Sequence, residues 1–419
     1  MKWKYYPLKI VAPSSTSKLK FNPADEVWHL NLDQIESQTG NILEKKMSNA
    51  SSAGNSTYVF DSNNVLYSKL RPYLNKVVCP DGPGIATTEL VPLCPQSEIL
   101  DRKFLTYFLR SSRFLNFASA MVAGAKMPRV VMAKFWEYEI PLPPISEQRR
   151  IVEILDQADR LRKLRAEADK KAERILPALF IKMFGDPIQN MSGDKWQLKR
   201  FDSFSEVSYG LADRIDSSLT AKEGLRIITI SNVKLDGSIN PAVEKYSPAN
   251  KKQIAKASVQ KNDLLFNWRN GSKEHVGKTA IWENNWSGET LHVSFLLKIR
   301  PDTQQAAPYY LWSLLSLLRS SGFFVGQSRM QVNSKFNASE LSALKVPLPP
   351  IEQQEKFDIQ VRKIRELSRT FDMRNNGIEN LFTSLLHRAF TGDLTASWRQ
   401  AHMKELLQEM ELQAKALNN

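Results

Sequence analysis

Apolar residues recur at spacings of mostly three and four in two long segments of the chain. In the first segment these positions are Ile151, Ile154, Ala158, Leu161, Leu164, Ala168, Ile175 and Leu179. In the second segment they are Phe357, Val361, Ile364, Leu367, Phe371, Ile378, Leu381 and Leu385. This spacing predicts two amphipathic helices, and the near-heptad repeat favours packing of helix on helix. Each helix of ~30–40 residues is expected to be roughly 45–60 Å long.

Proline and glycine positions predict where these two helices are interrupted and where they end. Pro177 lies inside the first stripe and is expected to kink or break that helix. Gly377 lies inside the second stripe and is expected to weaken the second helix. Gly185 and Gly392 follow the last apolar positions, and we expect them to terminate the two helices.

Both helical segments belong to an internal repeat with an offset of 206 residues. Ile140-Pro-Leu-Pro-Pro-Ile145 recurs as Val346-Pro-Leu-Pro-Pro-Ile351, and Phe184 matches Phe390 at the same offset. Because proline disfavours regular structure before it but is tolerated in the first turn of a helix, each copy predicts a strand end followed by a helix start. A pseudo-two-fold axis between the copies would make the two helices antiparallel. A tandem, side-by-side arrangement fits the same sequence.

The segments outside the two helices carry short, mixed signals. The predicted strands are at residues 58–60, 77–79, 227–230 and 292–299, and the predicted shorter helices are at residues 104–117 and 309–319. We therefore predict a mixed α/β (α+β) fold with two globular domains at residues 1–139 and 186–346. Two long antiparallel coiled-coil helices, in residues 140–185 and 347–419, are predicted to join them.

The charge of the chain points to a polyanionic partner. The 419 residues include 58 Lys and Arg and 44 Asp and Glu, which gives a net charge of +14. Residues 1–139 contribute +5 and residues 186–346 contribute +6, whereas residues 347–419 are neutral. Nucleic acid is the first candidate partner and an anionic membrane the second. A merely solvated basic surface fits the same charge count.

Other features of the sequence limit the class of protein. No apolar run approaches the roughly 20 residues that span a bilayer, so we expect no membrane-spanning helix. Of the two polyanionic partners we predict nucleic acid and no membrane. Two cysteines, Cys79 and Cys94, cannot form a disulfide framework, and this is typical of a reducing, cytoplasmic compartment. No phosphate-binding loop, dinucleotide fingerprint or metal-type histidine spacing occurs. We therefore expect a non-catalytic chain that binds no cofactor or metal. Scattered Asp and Glu residues leave open an enzyme with an unrecognised nuclease site.

Basic residues interleaved with aromatic and amide residues form the candidate DNA-binding set. In the first half of the chain the candidates are Ser68, Lys69, Arg71, Lys126 and Arg129. In the second half they are Asn267, Trp268, Arg269, Lys273, Lys278, Arg329 and Gln331. Arginine can bind a guanine edge and Asn or Gln an adenine edge, while lysine holds phosphates. The alternative is that these segments are strands and turns of the core with solvated charges.

Motifs at the repeat junctions resemble a known family. These are Pro141-Leu-Pro-Pro-Ile-Ser-Glu-Gln148, its second copy at 347–354, Phe390-Thr-Gly-Asp-Leu-Thr395, and Trp398-Arg399. Together with the two-copy layout, they make the whole chain similar to the specificity subunits of type I restriction-modification systems. Two departures occur, since Gln353 stands in the second copy where Glu147 stands in the first, and Thr383 where Pro177 stands.

This resemblance implies a division of labour between subunits. Two target recognition domains would each read one half of a gapped, asymmetric DNA site, and the helices would set the unspecified spacer. Two methyltransferase subunits would dock on this chain and bring S-adenosylmethionine for adenine N6 methylation. The resemblance leaves open whether two restriction/translocase subunits, which use ATP and Mg, also join. The candidate partner-binding residues are Glu147, Gln148, Gln354, Trp398 and Arg399. A two-headed coiled-coil adaptor without sequence-specific DNA readout is the alternative function.

Overall fold

The computed structural model describes residues 2–54, 56–212, 219–327 and 334–418. The chain divides into two compact units. Unit 1 comprises Met1–Arg165 together with Arg374–Asn419, and unit 2 comprises Ala166–Met373. Within the described ranges, no helix has both the length and the apolar character needed to cross a membrane.

The strands lie in both variable halves of the chain. In chain order they are β1 (Lys4–Pro7), β2 (Glu26–Leu30), β3 (Lys46–Asn49), β4 (Thr57–Phe60), β5 (Val65–Ser68), β6 (Val77–Val78), β7 (Gly84–Thr87), β8 (Leu90–Leu93), β9 (Val122–Ala123), β10 (Arg129–Val130), β11 (Glu139–Leu142), β12 (Leu198–Arg200), β13 (Ser205–Tyr209), β14 (Leu225–Ile228), β15 (Tyr246–Ser247), β16 (Leu264–Asn267), β17 (Arg269–Asn270), β18 (Thr279–Ile281), β19 (Thr290–His292), β20 (Leu296–Pro301), β21 (Ser334–Lys335) and β22 (Lys345–Pro347).

Helices alternate with these strands and then dominate the ends of both halves. In chain order they are α1 (Leu8–Val11), α2 (Arg102–Arg110), α3 (Ser112–Ala120), α4 (Met132–Glu137), α5 (Ile145–Ala172), α6 (Ile175–Phe184), α7 (Lys251–Ala257), α8 (Pro308–Ser320), α9 (Phe323–Gln327), α10 (Ala338–Ala343), α11 (Ile351–Thr391), α12 (Ala396–Ala401) and α13 (Met403–Asn418). The mixed helix-and-strand fold predicted from the sequence is confirmed.

The two units have related sheet topologies, in which the three-stranded sheet of each unit corresponds to three strands of the four-stranded sheet of the other. Unit 1 contains a four-stranded sheet of order β3-β2-β7-β4 and a three-stranded sheet of order β6-β5-β8. Unit 2 contains a four-stranded sheet of order β13-β20-β16-β18 and a three-stranded sheet of order β15-β14-β19. Among the strands named above, the parallel pairing is β2 with β7 in the four-stranded sheet of unit 1 and β14 with β19 in the three-stranded sheet of unit 2. In each unit a short first strand also pairs antiparallel with the strand before the long helix, as β1 with β11 and β12 with β22.

Aromatic residues at the ends of α11 and α6, in the two repeat copies, belong to the hydrophobic cores of the two units. In unit 1, Phe390 at the end of α11 packs against Phe104 of α2, with ring centroids 5.3 Å apart. In unit 2, Phe184 at the end of α6 packs against Tyr310 of α8, with centroids 4.9 Å apart. Phe390 lies 206 positions after Phe184, and Tyr310 lies 206 positions after Phe104, so the sequence repeat is also a repeat of core contacts.

Two long-helix segments run antiparallel inside unit 1. Arg162 of α5 forms an ion pair with Glu379 of α11 at 2.9 Å. Nearer the start of α5, Ile151 shares the hydrophobic core with Ala389 and Phe390 from the end of α11. Residue numbers therefore rise along one segment as they fall along the other, as the pseudo-two-fold reading predicts.

Most of the predicted helix ends are where the sequence places them. Gly185 and Gly392 follow the last helical residues with φ of +90° and +88°, left-handed values that favour glycine. The first long helix breaks between Ala172 and Ile175. That break lies about one turn before Pro177, whose ring and missing N–H disrupt the preceding turn. Helix α11 continues through Gly377, so the expected weakening does not end this helix.

Some element predictions were wrong in detail. The segment 104–117 forms two helices, because Ser111 caps the second one by accepting from the N–H of Phe114 at 3.4 Å. The segment 292–299 forms the end of β19 and the start of β20. Between them the chain passes from the three-stranded sheet to the four-stranded sheet of unit 2.

The apolar stripes are only partly buried. Within α5 the buried stripe ends at Ala158, and Leu161 and Leu164 are each about half exposed, at 52%. Leu367 of α11 is likewise exposed. Beyond Ala158, the guanidinium of Arg162 lies over the ring of Phe382 at 4.2 Å from its centroid. At this point of unit 1 the contact between α5 and α11 is therefore made by Arg162 and Phe382, and not by Leu161 of the predicted apolar stripe.

Candidate functional site

In unit 1, two separate segments of candidate residues come together. The segment after β5 and the hairpin β9–β10 are joined by backbone hydrogen bonds. Arg71 donates its N–H to the carbonyl of Pro128 at 2.7 Å, and Val130 donates to Lys69 at 2.9 Å. The structure therefore brings Lys69 and Arg71 beside Lys126 and the start of β10, although more than 50 residues separate them in the chain.

The candidate side chains on this surface differ in accessibility. Arg71 and Lys126 are exposed and Lys69 is half-buried. Arg71 has a φ of +48°, a left-handed value, at the turn that opens the loop. Ser68 is buried, and its hydroxyl donates to the carbonyl of Leu70 at 3.0 Å. Ser68 thus shapes the turn, whereas Arg71 and Lys126 present cations to solvent.

Arg129 is engaged by an acidic partner that the sequence pattern does not reveal. Its guanidinium donates to Oε1 of Glu89 through Nη2 at 2.7 Å and through Nε at 3.0 Å. The carboxylate of Glu89 raises the pKa of Arg129. Arg129 would therefore have to release Glu89 before it could bind a base edge. Its present contacts hold the β9–β10 hairpin against Glu89, the residue before β8.

In unit 2, the corresponding surface lies around the end of β16. Trp268 is half-buried and its indole N–H donates to the carbonyl of Ser294 at 2.7 Å, which fixes the ring in the fold. Arg269 is exposed, with its guanidinium 6.0 Å from the ring centroid of Phe295. Lys273 is also exposed. Arg269 and Lys273 can meet a ligand directly, while Trp268 supports the backbone that carries them.

A cleft of about 480 Å³ lies beside this segment. Its lining residues are Thr229, Ile230, Ser231, Asn270, His275, Lys278, Val293 and Phe295. Lys278 and Asn267 are both buried, at 8% and 0% exposed. Burial lowers the pKa of Lys278, and the charge of Arg319 lowers it further. The two remaining candidates, Arg329 and Gln331, lie outside the described residues.

Gln148, predicted to bind a partner, is buried inside unit 1. Its side-chain amide donates to the carbonyls of Ile99 at 2.7 Å and Pro143 at 2.8 Å. Its amide oxygen accepts from the N–H of Asp101 at 2.8 Å. These three bonds tie the start of α5 to the start of α2.

Gln354 has the same bonds in unit 2. Its amide donates to the carbonyls of Pro349 at 2.7 Å and Gln305 at 3.2 Å, and its oxygen accepts from Ala307 at 2.9 Å. Every residue of this set lies 206 positions after its counterpart in unit 1. Each glutamine therefore joins the start of two helices by hydrogen bonds within its own unit. Both side chains are fully buried, so neither offers an exposed atom to a partner.

Glu147 is also fully buried and holds three chain segments together in unit 1. Its Oε1 accepts from Nε of Arg399 at 2.7 Å and from the hydroxyl of Thr395 at 2.6 Å. Its Oε2 accepts from the indole N–H of Trp3 at 3.0 Å. The guanidinium of Arg399 in turn lies 5.0 Å from the ring centroid of Trp3. We call Glu147, Arg399, Thr395 and Trp3 the junction cluster.

The C-terminal helix α13 extends this junction. Glu409 accepts from both the N–H and the hydroxyl of Ser146, at 3.0 Å and 2.8 Å, and so caps the start of α5. Gln413 donates to the carbonyls of Ile99 and Pro143, which Gln148 also binds. The sequence motifs did not identify Glu409 or Gln413, because neither belongs to the repeat.

Trp398 and Arg399 are the members of the predicted partner-binding set that are only partly buried. Trp398 is half-buried, and its ring stacks on His402 with centroids 4.4 Å apart. Burial of Glu147, Gln148 and Gln354 corrects the expectation that these three face a partner, because their polar atoms are used within the chain. Direct partner contact at Trp398 stays a prediction.

The chain matches the sequence profile of a known domain family twice. The profile is described as "Type I restriction modification DNA specificity domain", and it matches residues 9–174 and 193–380. The chain is 26% identical over 318 residues to the type I restriction enzyme EcoKI specificity subunit of Escherichia coli (strain K12), covering 71% of this chain and 66% of that protein. It is 24% identical over 323 residues to the StySPI specificity subunit of Salmonella potsdam, covering 72% and 67%.

Two solved structures share the fold over nearly the full length. One comes from work on complex assembly and conformational transition of the type I R-M system, with a TM-score of 0.59, 20% identity, and coverage of 94% of this chain and 98% of that one. The other is the type I restriction-modification S subunit from M. genitalium, with a TM-score of 0.56, 14% identity, and coverage of 93% and 96%. At these identities the likeness shows the fold.

Proposed function

Because this chain belongs to the family of type I restriction modification DNA specificity domains, we propose that it is the DNA-recognition subunit of a type I restriction-modification complex. Each unit reads one half of a gapped, asymmetric site. The observation that carries this proposal is the double match to the DNA specificity profile, once in each half of the chain. The positive charge of residues 1–139 and 186–346 supports it, since phosphate contacts need cations.

The proposed complex places the chemistry on other subunits. This chain binds DNA and performs no reaction, and it acts in the cytoplasm. Two methyltransferase subunits supply S-adenosylmethionine and methylate adenine N6, and restriction/translocase subunits, where present, use ATP and Mg. The exposed leucines Leu161 and Leu164 of α5 and the ring of Trp398 are suitable apolar surface for a docked subunit.

The direct test is a genome-wide map of N6-methyladenine in the native host with and without the gene. We expect deletion to abolish methylation at one gapped, two-part motif and to leave other motifs unchanged. Reintroducing the gene should restore that motif. A deletion strain whose methylated motifs all match the parent would contradict the proposal in a host where the partner methyltransferase is expressed.

Substitution of one candidate in each unit tests the residue assignments. We expect Arg269→Ala and Lys69→Ala each to weaken duplex binding about five- to thirtyfold, since one good side-chain contact to DNA contributes ~1–2 kcal/mol. Arg269→Ala should also relax the preference at one position of the half-site, whereas Lys69→Ala should weaken all sequences alike. Titration of each variant against the mapped motif and single-base variants measures both effects. Unchanged affinity and motif would remove these two residues from the interface.

The adaptor alternative makes a different prediction. A two-headed adaptor would co-purify with protein partners and would bind duplex DNA weakly, with no preference for any gapped motif. Competition between the mapped site and random duplex in the same salt separates the two functions, because sequence-specific subunits retain the mapped site when random duplex is in excess.

A further inference from the structure

Lys278 is a buried lysine in the cleft of unit 2 with little to bind. Among the described residues its ammonium makes a single hydrogen bond, to the carbonyl of Ile230, at the long distance of 3.5 Å. Over the described part of the chain, no carboxylate lies within salt-bridge distance of it. An ammonium has three donors, and burying a charge without partners is costly. The fold therefore holds a cation at this cleft whose bonding is incomplete.

Asn267 is the neighbour of Lys278 across the sheet. The N–H of Asn267 donates to the carbonyl of Lys278 at 2.8 Å, and the N–H of Gly277 donates to the carbonyl of Asn267 at 2.8 Å. Two residues therefore oppose Asn267 in a β-bulge just beyond the ladder of β16 and β18, whose last pair is Phe266 with Thr279. Asn267 is fully buried, yet neither atom of its side-chain amide has a hydrogen-bond partner within the described ranges. Two adjacent buried polar groups are thus under-bonded.

Unit 1 contains a related arrangement in which a partly buried lysine makes a shorter hydrogen bond. The N–H of Ser68 donates to the carbonyl of Lys76, as Asn267 donates to Lys278. There, however, the ammonium of Lys76 donates to the carbonyl of Leu32 at 2.6 Å, and the hydroxyl of Ser68 is also bonded. The fold alone can therefore satisfy a lysine at this position. The weak hydrogen bonding of the Lys278 ammonium is therefore specific to unit 2, because the shared fold does not impose it on Lys76.

We propose that the cleft of unit 2 binds a phosphate of the DNA backbone and that the ammonium of Lys278 is its anchor. This inference rests on the proposed function only in taking DNA as the ligand. The amide of Asn270 lines the same cleft and can donate to phosphate oxygens, and the hydroxyl of Ser231 can do so if it exchanges its 2.8 Å contact with Thr229. The hydroxyl of Thr229 already donates to Oδ1 of Asn232 at 2.8 Å. A lysine ammonium suits a phosphate, because it is a point charge without the planar fork that reads a base edge.

The test uses the full chain and two duplexes, one carrying the mapped motif and one of random sequence. Binding is titrated over about 0.05–0.3 M salt. Lys278→Met keeps the side-chain volume and is expected to weaken binding to both duplexes about tenfold at ~0.1 M salt. The plot of log affinity against log salt should become shallower by about 0.9, the value for one lost phosphate contact. The preferred motif should stay unchanged.

Two further variants keep the result interpretable. Lys261→Met removes an exposed lysine of unit 2 that does not line the cleft, and it is expected to bind as wild type does. Ser231→Ala changes an exposed hydroxyl in the cleft and should weaken both duplexes roughly two- to tenfold. If Lys278→Met fails to fold, Ser231→Ala decides, and wild-type affinity in that variant overturns the proposal.

Each remaining outcome is decisive. A folded Lys278→Met with wild-type affinity and salt slope would make Lys278 a structural residue. A changed motif preference would make the cleft a base-reading site, which also overturns the phosphate anchor. Wild-type binding without motif preference, but with the expected Lys278→Met effect, supports the anchor and contradicts the proposed function. Wild-type failure to bind either duplex contradicts both.

Discussion

Replacing Arg399 with methionine is expected to lower the free energy of unfolding by about 3–5 kcal/mol. The substitution removes the cation that pairs with Glu147, a carboxylate with 0% exposure. Thr395 and Trp3 continue to donate to Glu147, but neither carries a charge. A buried carboxylate without its cation is destabilising because two neutral hydrogen bonds do not replace the lost hydration of its charge.

The second copy of the repeat suggests how the loss can be reversed. Gln353, a neutral amide, stands in unit 2 where Glu147 stands in unit 1. We expect the double variant Glu147→Gln with Arg399→Met to be more stable than Arg399→Met alone, because no charge remains buried. Urea denaturation gives the free energies. Hydrogen exchange across α12 and α13 shows whether the C-terminal segment detaches first.

Arg150→Met is the matched control for this prediction. Arg150 pairs with Glu153 at 2.6 Å on the surface of α5, and both side chains are about half exposed. Exposed ion pairs of this kind contribute about 0–1 kcal/mol, so the same substitution should cost little there. If Arg399→Met costs no more than Arg150→Met, the junction cluster does not stabilise unit 1 as its burial indicates.

The repeat and the helix ends could be predicted from the sequence because they depend on local chemistry. Gly185 and Gly392 terminate helices through their own backbone freedom, and Pro177 interrupts one through its own ring. The 206-residue offset is likewise visible in the sequence. The structure extends this repeat to buried hydrogen bonds, such as those from the amides of Gln148 and Gln354 to backbone carbonyls. Every residue has a backbone carbonyl, so the sequence does not indicate which ones these amides bind.

The functional surface was less predictable because its side chains are sorted by distant partners. Arg129 and Arg269 look alike as basic residues near aromatics, yet Arg129 is bound by Glu89 and Arg269 is exposed. Glu147 and Arg399 are 252 residues apart in the chain, so their pairing depends on how unit 1 closes. Whether a charged residue faces solvent or a buried partner is decided by packing, and no spacing rule records it.

The buried histidine of unit 2 is expected to make this protein sensitive to acid. Burial lowers the pKa of His292 to about 4, and the charge of Lys298 acts in the same direction. The hydrogen bond to the carbonyl of Ala257, at 2.7 Å from Nδ1, opposes the shift. Packing on one side of the ring is tight, since a Cβ at Gly210 would lie 2.7 Å from the ring carbon Cδ2 of His292.

The sign of the effect follows from proton binding. An unfolded histidine takes up a proton near pH 6.5, whereas folded His292 stays neutral down to about pH 4. Between these values the unfolded state binds more protons, so stability falls as the pH falls. Acidification from pH 7 to about 4.5 should therefore cost about 2–3 kcal/mol through His292 alone.

The variant His292→Asn isolates this contribution. Its amide can keep the donor to the carbonyl of Ala257, and it has no titrating group in this range. We expect it to be less stable at pH 7, because it leaves a cavity, but to lose about 2–3 kcal/mol less than wild type on acidification. His387→Asn makes the same change at an exposed position of α11 and should keep the wild-type pH dependence. Equal acid dependence in wild type and His292→Asn would show that His292 takes up its proton without unfolding unit 2.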